Sequence, residues 1–72
     1  MKDGDYMSIQ IPIWEKFTLS IEEAAVYFRI GENKLRQIVS ENKDADFILW
    51  NGNIPQIKRT KFEKMLDNVN TI

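Results

Sequence analysis

Between Asn42 and Asp46 the hydrophobic period of this chain changes, and that switch constrains its fold more than any other feature. Upstream, apolar residues recur at helical spacing; downstream, they form two short runs of strand length. Ile21, Ala24, Ala25 and Phe28 stand at i, i+3, i+4 and i+7, which is one face of a helix. Ser20-Ile21-Glu22-Glu23 opens that helix as a capping box, the Ser20 hydroxyl accepting from the Glu23 amide and the Glu23 carboxylate from the Ser20 amide. Arg29 falls in its last turn and Gly31 just past it, the usual stop signals. A second helix from Glu32 or Asn33 carries Leu35, Ile38 and Val39 on one face. Two helices joined by so short a segment containing glycine make a helix-turn-helix candidate.

Beyond the switch, Phe47-Ile48-Leu49-Trp50 and Ile54-Pro55-Gln56-Ile57 flank Asn51-Gly52-Asn53. Asn-Gly suits a type I′ turn, because both central residues tolerate positive φ. Pro55 has no N–H to donate, so the second strand reads as an edge. Thr60-Lys61-Phe62-Glu63 forms a second capping-box pattern, and Phe62, Met65, Leu66 and Val69 continue a helical stripe. Ahead of the first helix, Ile9, Ile11 and Ile13 alternate with the period of a strand that Pro12 would confine to an edge, and Phe17-Thr18-Leu19 reads as a short strand or extended lead-in. These signals predict an α+β fold of three helices and a two-stranded hairpin. A flexible N-terminal tail would span residues 1–8 and one domain residues 9–72. Ile21, Ala25, Phe28, Leu35, Ile38, Val39, Ile57, Phe62, Met65 and Leu66 are expected inside, with Phe47 also on an apolar face. Trp50 either packs across the hairpin or projects toward a partner.

With 72 residues there is room for one core. Cysteine and histidine are both absent, which removes disulfides, Cys/His zinc sites, thiol nucleophiles and imidazole acid–base schemes. The three glycines stand alone at 4, 31 and 52, so there is no phosphate-cradling loop. Glu22 and Glu23 sit where a helix dipole favours negative charge, and Asp44 and Asp46 belong to a polar loop. Neither pair makes a catalytic or metal site, and the expectation is a non-enzyme without cofactor or metal. No apolar run approaches the ~20 residues that cross a bilayer, and no secretory signal is evident; a cytoplasmic location without membrane contact is expected.

Net charge is −1, but its distribution is uneven. Residues 1–32 hold three Lys/Arg against six Asp/Glu, and residues 33–72 hold seven against five. A local basic patch can steer a polyanion even when the whole molecule is near neutral; the alternative is an ordinary mixed surface. With Leu35, Ile38 and Val39 turned inward, the second helix presents Asn33, Lys34, Arg36, Gln37 and Ser40. Arginine suits guanine O6/N7, asparagine or glutamine adenine N6/N7, and lysine or serine phosphate. A solvated helix face has the same residue types, but a turn before it and a hairpin after it favour DNA. The hairpin would be the wing of a winged helix-turn-helix, with Asn51, Asn53 and Gln56 as hydrogen-bonding groups and Lys58 as a phosphate contact. Asn51 is equally accounted for by the turn alone.

The stretch from Ile11-Pro12-Ile13-Trp14 through Ser20-Ile21-Glu22-Glu23-Ala24-Ala25 resembles the opening of excisionases from conjugative transposons of Gram-positive bacteria. So do Tyr27-Phe28-Arg29-Ile30-Gly31-Glu32-Asn33-Lys34-Leu35-Arg36, Asn51-Gly52-Asn53 and Gln56-Ile57-Lys58-Arg59. The helix followed by a glycine turn also occurs in regulators related to the MerR group. The resemblance implies a compact, MerR-like winged helix that binds the arms of the element's attachment site in double-stranded DNA. It further implies promotion of excision by a tyrosine integrase that does the cutting. Two departures stand out: Met1–Ser8 lies outside the pattern, and the wing reads Asn53-Ile54-Pro55 where a basic residue is expected beside the turn.

The leading expectation is thus a recombination directionality factor that binds specific duplex DNA, self-associating cooperatively on it, and bends it. Bending by ~40–90° costs about 1–6 kcal/mol, which cooperative binding of small subunits could offset. The alternatives are a small winged-helix transcriptional regulator and, in another class, a protein-interaction module.

Overall fold

The computed structural model describes residues 11–72. A 3₁₀ turn, Ile13–Glu15, leads into the strand β1 (Thr18–Leu19). The helices α1 (Ile21–Phe28) and α2 (Glu32–Glu41) follow, then the strands β2 (Ile48–Asn51) and β3 (Ile54–Lys58), and last α3 (Arg59–Asp67). The fold is α+β, a small winged helix, with the hairpin extended by β1 into a three-stranded antiparallel sheet of order β1-β3-β2. The proposed tail, residues 1–8, and Ile9 lie outside the described residues. Of the alternating isoleucines, Ile13 enters the 3₁₀ turn behind Pro12 at φ −57°, so this segment is not a strand.

The Ser20 capping box forms in both directions, at 3.0 Å each way. The end of α1 differs from expectation. Arg29, not Gly31, adopts the left-handed conformation (φ 60°), and the amides of Arg29 and Ile30 both bond the Ala25 carbonyl, combining the single bond of an αL cap with the longer bond of a Schellman motif. Gly31 instead caps α2 from the extended region at φ −60°, with open space around it, and its conformation does not require glycine.

At the hairpin, Asn51 pairs with Ile54, which leaves Gly52-Asn53 as the loop. Gly52 has φ 65° and Asn53 does not share it. Positive φ at the first central residue alone is the pattern of a type II′ turn, not the expected type I′. Nor is β3 an edge: it lies between its two neighbours. Pro55 is tolerated there for a geometric reason. The Lys58 amide bonds the Phe47 carbonyl across the hairpin, so by alternation the nitrogen of Pro55 points away from β2. On that other side β1 reaches only Lys58 and Ile57, so among the described residues no strand pairs with β3 on the side of its proline nitrogen.

The second capping box does not form. α3 follows β3 directly, with Lys58 before its first turn and no side-chain cap bond. Its start is set by the sheet, since the Arg59 amide bonds the Phe17 carbonyl and its Nε the Lys16 carbonyl. Glu63, free of a capping role, accepts from the Tyr27 hydroxyl at 2.6 Å and pairs with Arg59 at 3.5 Å. The helix stops at Asp67, so Val69 falls outside it and is exposed.

Leu19, Ile21, Ala24, Leu35, Val39, Phe47, Ile48, Ile57 and Phe62 form the buried core, with Ala25, Phe28, Ile38, Met65 and Leu66 half-buried against it. Leu19, Ala24 and Ile48 thus join the expected interior. Phe62 is its hub, stacking edge-on against Phe28 at 4.8 Å and Phe47 at 5.1 Å. Each such pair contributes about 0.5–1.5 kcal/mol beyond burial, and together they fasten α3 to α1 and to the base of the hairpin. Leu35, fully buried, does the same for α2, which leaves the opposite side of that helix to solvent.

Candidate nucleic-acid interface

α2 is amphipathic around Leu35 and Val39. At about 100° per residue, Gln37 lies farthest from the core, with Asn33 close beside it. Lys34 and Arg36 fall on opposite flanks. All five polar positions, Asn33, Lys34, Arg36, Gln37 and Ser40, are exposed. Several are already engaged. Gln37 donates to Glu41 at 3.1 Å, and the Ser40 hydroxyl donates back to the Gln37 carbonyl at 2.9 Å. Arg36 Nη2 lies 3.4 Å from Glu22 Oε2 on α1 and 3.4 Å from Glu32 Oε1 one turn back.

The wing stands beside this helix, and a groove runs between them. Arg36, Ser40 and Lys43 line one wall, and Trp50, Asn53 and Pro55 the other, over a floor of Ile21 and Val39. Trp50 holds the walls together: it faces Pro55 across the hairpin, and its indole N–H donates to the Lys43 carbonyl at 2.9 Å. Of the two placements open for Trp50, packing is the observed one, with the ring still partly exposed.

The predicted site residues therefore divide. Arg36, Ser40 and Asn53 meet at the groove, and Asn33 and Gln37 continue its helical wall outward. Asn51 and Ile54 are the pair flanking the turn. Gln56 and Lys58 lie on the sheet face turned away from the core, where the Thr18 hydroxyl donates to Gln56 Oε1 at 2.8 Å. Lys58 is half-buried and stands at the base of β3, four residues from the strand's start at the turn. Lys43 is the lining residue that the sequence reading missed. Its sequence spacing continues the row of Arg36 and Ser40, but α2 ends at Glu41 and Lys43 lies in the turn after it, so helical spacing alone does not place it at the groove. Neither Lys34, Lys43 nor Lys58 has an ion pair among the described residues, whereas Lys61 pairs with Asp46 at 3.6 Å.

A small winged helix with a polar, arginine-bearing helix beside its hairpin has a match among known families. The family described as the excisionase from transposon Tn916 matches residues 5–72. The chain belongs to this excisionase family. It is 60% identical over 62 residues to the excisionase from transposon Tn916 of Streptococcus agalactiae serotype V (strain ATCC BAA-611 / 2603 V/R), an alignment covering 86% of this chain and 92% of that one. The family match begins at residue 5, so it takes in part of the segment that the resemblance left out. Membership in the Tn916 excisionase family places the chain in the excision of a mobile element, as an accessory recombination factor and not an enzyme. No helix among the described residues is long and apolar enough to cross a membrane.

Proposed function

We propose that this excisionase-family protein binds the arms of its element's attachment site as duplex DNA, bends them, and so helps a tyrosine integrase assemble the complex that excises the element. The observation that carries this reading is the groove between α2 and the wing, where Arg36, Ser40 and Lys43 face Trp50 and Asn53. A helix of this exposure suits the major groove, and a hairpin beside it suits the flanking backbone. In this reading Asn33, Arg36 and Gln37 reach base edges. Lys34, Ser40, Lys43 and Lys58 contact phosphate, and Asn51, Asn53 and Gln56 supply wing hydrogen bonds. Copies bound side by side would share the cost of the bend.

Arg36 provides the test. It can make two parallel bonds to one guanine, a geometry that phosphate contact does not need. Arg36→Ala is expected to leave the fold intact and to cost about 1–3 kcal/mol on the attachment-site duplex, with a smaller loss on random duplex at the same salt. Equal losses on both would reject base reading by Arg36. A footprint on the element ends, with and without integrase, tests the assembly role. Protection of the arms that integrase leaves unchanged in extent and strength would count against that role.

A further inference from the structure

Two carboxylates hold Arg36 from one side, and this arrangement bears on how a small, nearly neutral protein avoids sticking to DNA at large. Glu22 comes from the first turn of α1 and Glu32 from the first turn of α2, and both reach the same nitrogen, Nη2, at 3.4 Å. A guanidinium has five donors in a fixed fork, and both of its two-donor edges, Nε with Nη2 and Nη1 with Nη2, share the nitrogen that the carboxylates hold, so any ligand taking two bonds competes with them. The three side chains are all solvent-exposed, with Glu22 at 65% and Arg36 at 54%. Their summed charge is negative although an arginine lies at their centre.

We infer that Glu22 is a specificity-determining residue, its charge beside Arg36 repelling backbone phosphate more than a neutral base edge. A phosphate approaching Arg36 meets two like charges within a few ångströms and must displace them to take the guanidinium. A guanine edge carries acceptors but no net charge, so it competes for the fork without the repulsion that a phosphate meets. The carboxylates thus weaken binding to every duplex, but weaken it least where a base can accept from Arg36. Raising the cost of the wrong partner in this way is a general route to discrimination. Glu32 alone would be a routine i, i+4 pair on one helix. Glu22, arriving from the neighbouring helix, makes the arrangement a clamp of two carboxylates on one nitrogen.

The inference rests on the DNA-binding reading above, and the Glu22→Gln variant tests it apart from that reading. The capping box uses Ser20 and Glu23, so the exposed Glu22 can be neutralised with the helix start intact, which a melting curve verifies. Affinities for attachment-site and random duplexes are measured at two salt concentrations for the native protein, Glu22→Gln, Arg36→Ala, the double variant, and Asp67→Asn as a charge control on α3. The expected result is a severalfold tightening on random duplex, a smaller gain or a loss on the specific one, and hence a fall in their ratio. In the Arg36→Ala background the ratio should no longer respond to Glu22→Gln. An unchanged ratio, or one that shifts equally in Asp67→Asn, would overturn the role of Glu22 while leaving the DNA reading in place. Absence of salt-dependent duplex binding by the native protein would remove both.

Discussion

Glu23 closes the capping box of α1 and also accepts from the Lys16 ammonium, so one carboxylate ties the residue after the 3₁₀ turn to the helix start. The Lys16 hydrogen bond first, and the Ser20 amide next, hold its pKa below the ordinary value of 4.5. The group is thus more acidic folded than unfolded. Its contribution to stability is complete above about pH 4.5 and disappears as pH falls through the lowered folded value. Glu23→Gln is expected to lower stability at pH 7 and to flatten the part of the acid limb below pH 4.5, and urea midpoints of both proteins from pH 7 to pH 3 check this. Parallel acid limbs would show that Glu23 does not carry the effect. At this scale the sequence was legible, because a capping box is local: both partners lie within four residues. The clamp on Arg36 was only half legible. Glu32 is one turn away and visible as a pairing candidate, whereas Glu22 lies fourteen residues upstream and arrives only when α1 and α2 pack.

Among the elements, the joint between α1 and α2 is closed by a residue poorly suited to it. Arg29 sits at φ 60°, a conformation costing an L-residue roughly 1–2 kcal/mol. Glycine would remove that strain but adds about 0.5–1 kcal/mol of unfolded-chain freedom. Arg29→Gly is therefore expected to raise stability by about 0.5–1 kcal/mol, seen as a higher urea midpoint with unchanged slope; a lower midpoint would mean that the arginine contributes contacts worth more than its strain. The misread glycine shows why such boundaries resist sequence reading. A glycine shortly past a helix marks its end, but it does not fix which residue takes the left-handed turn, and here that residue is Arg29, directly after Phe28. The hairpin was legible from Asn51-Gly52, while its loop was displaced by one residue because the register follows from core burial of Ile48 and Ile57. The β1–β3 pairing was not legible at all. A two-residue strand has no period, and its partner lies some forty residues downstream.

Taken as a whole, the molecule places lysines that have no ion pair among the described residues on different elements about the α2–wing groove: Lys34 on the far flank of α2, Lys43 after that helix, and Lys58 at the base of the sheet. The sequence showed the excess of basic residues in the second half, but not which of them would be spent on internal carboxylates. If the duplex spans helix and wing, Lys43→Ala and Lys58→Ala should each lower the slope of log affinity against log salt by about one contact, and the double variant by about two. Both should weaken random and specific duplexes alike. An unchanged slope for Lys58→Ala alone would mean that the duplex ends at the groove, with the outer face of the sheet left to solvent.

The bond from the Trp50 indole to the Lys43 carbonyl gives the groove an optical reporter of its own. An indole held between the two walls senses polarity and quenching at the place where a ligand would lodge. The second fluorophore of this type, Trp14, is more exposed, at 63%, and a Trp14→Phe background would silence it. Emission from the remaining ring then follows occupancy of the groove in real time, in solution, without a label on either molecule.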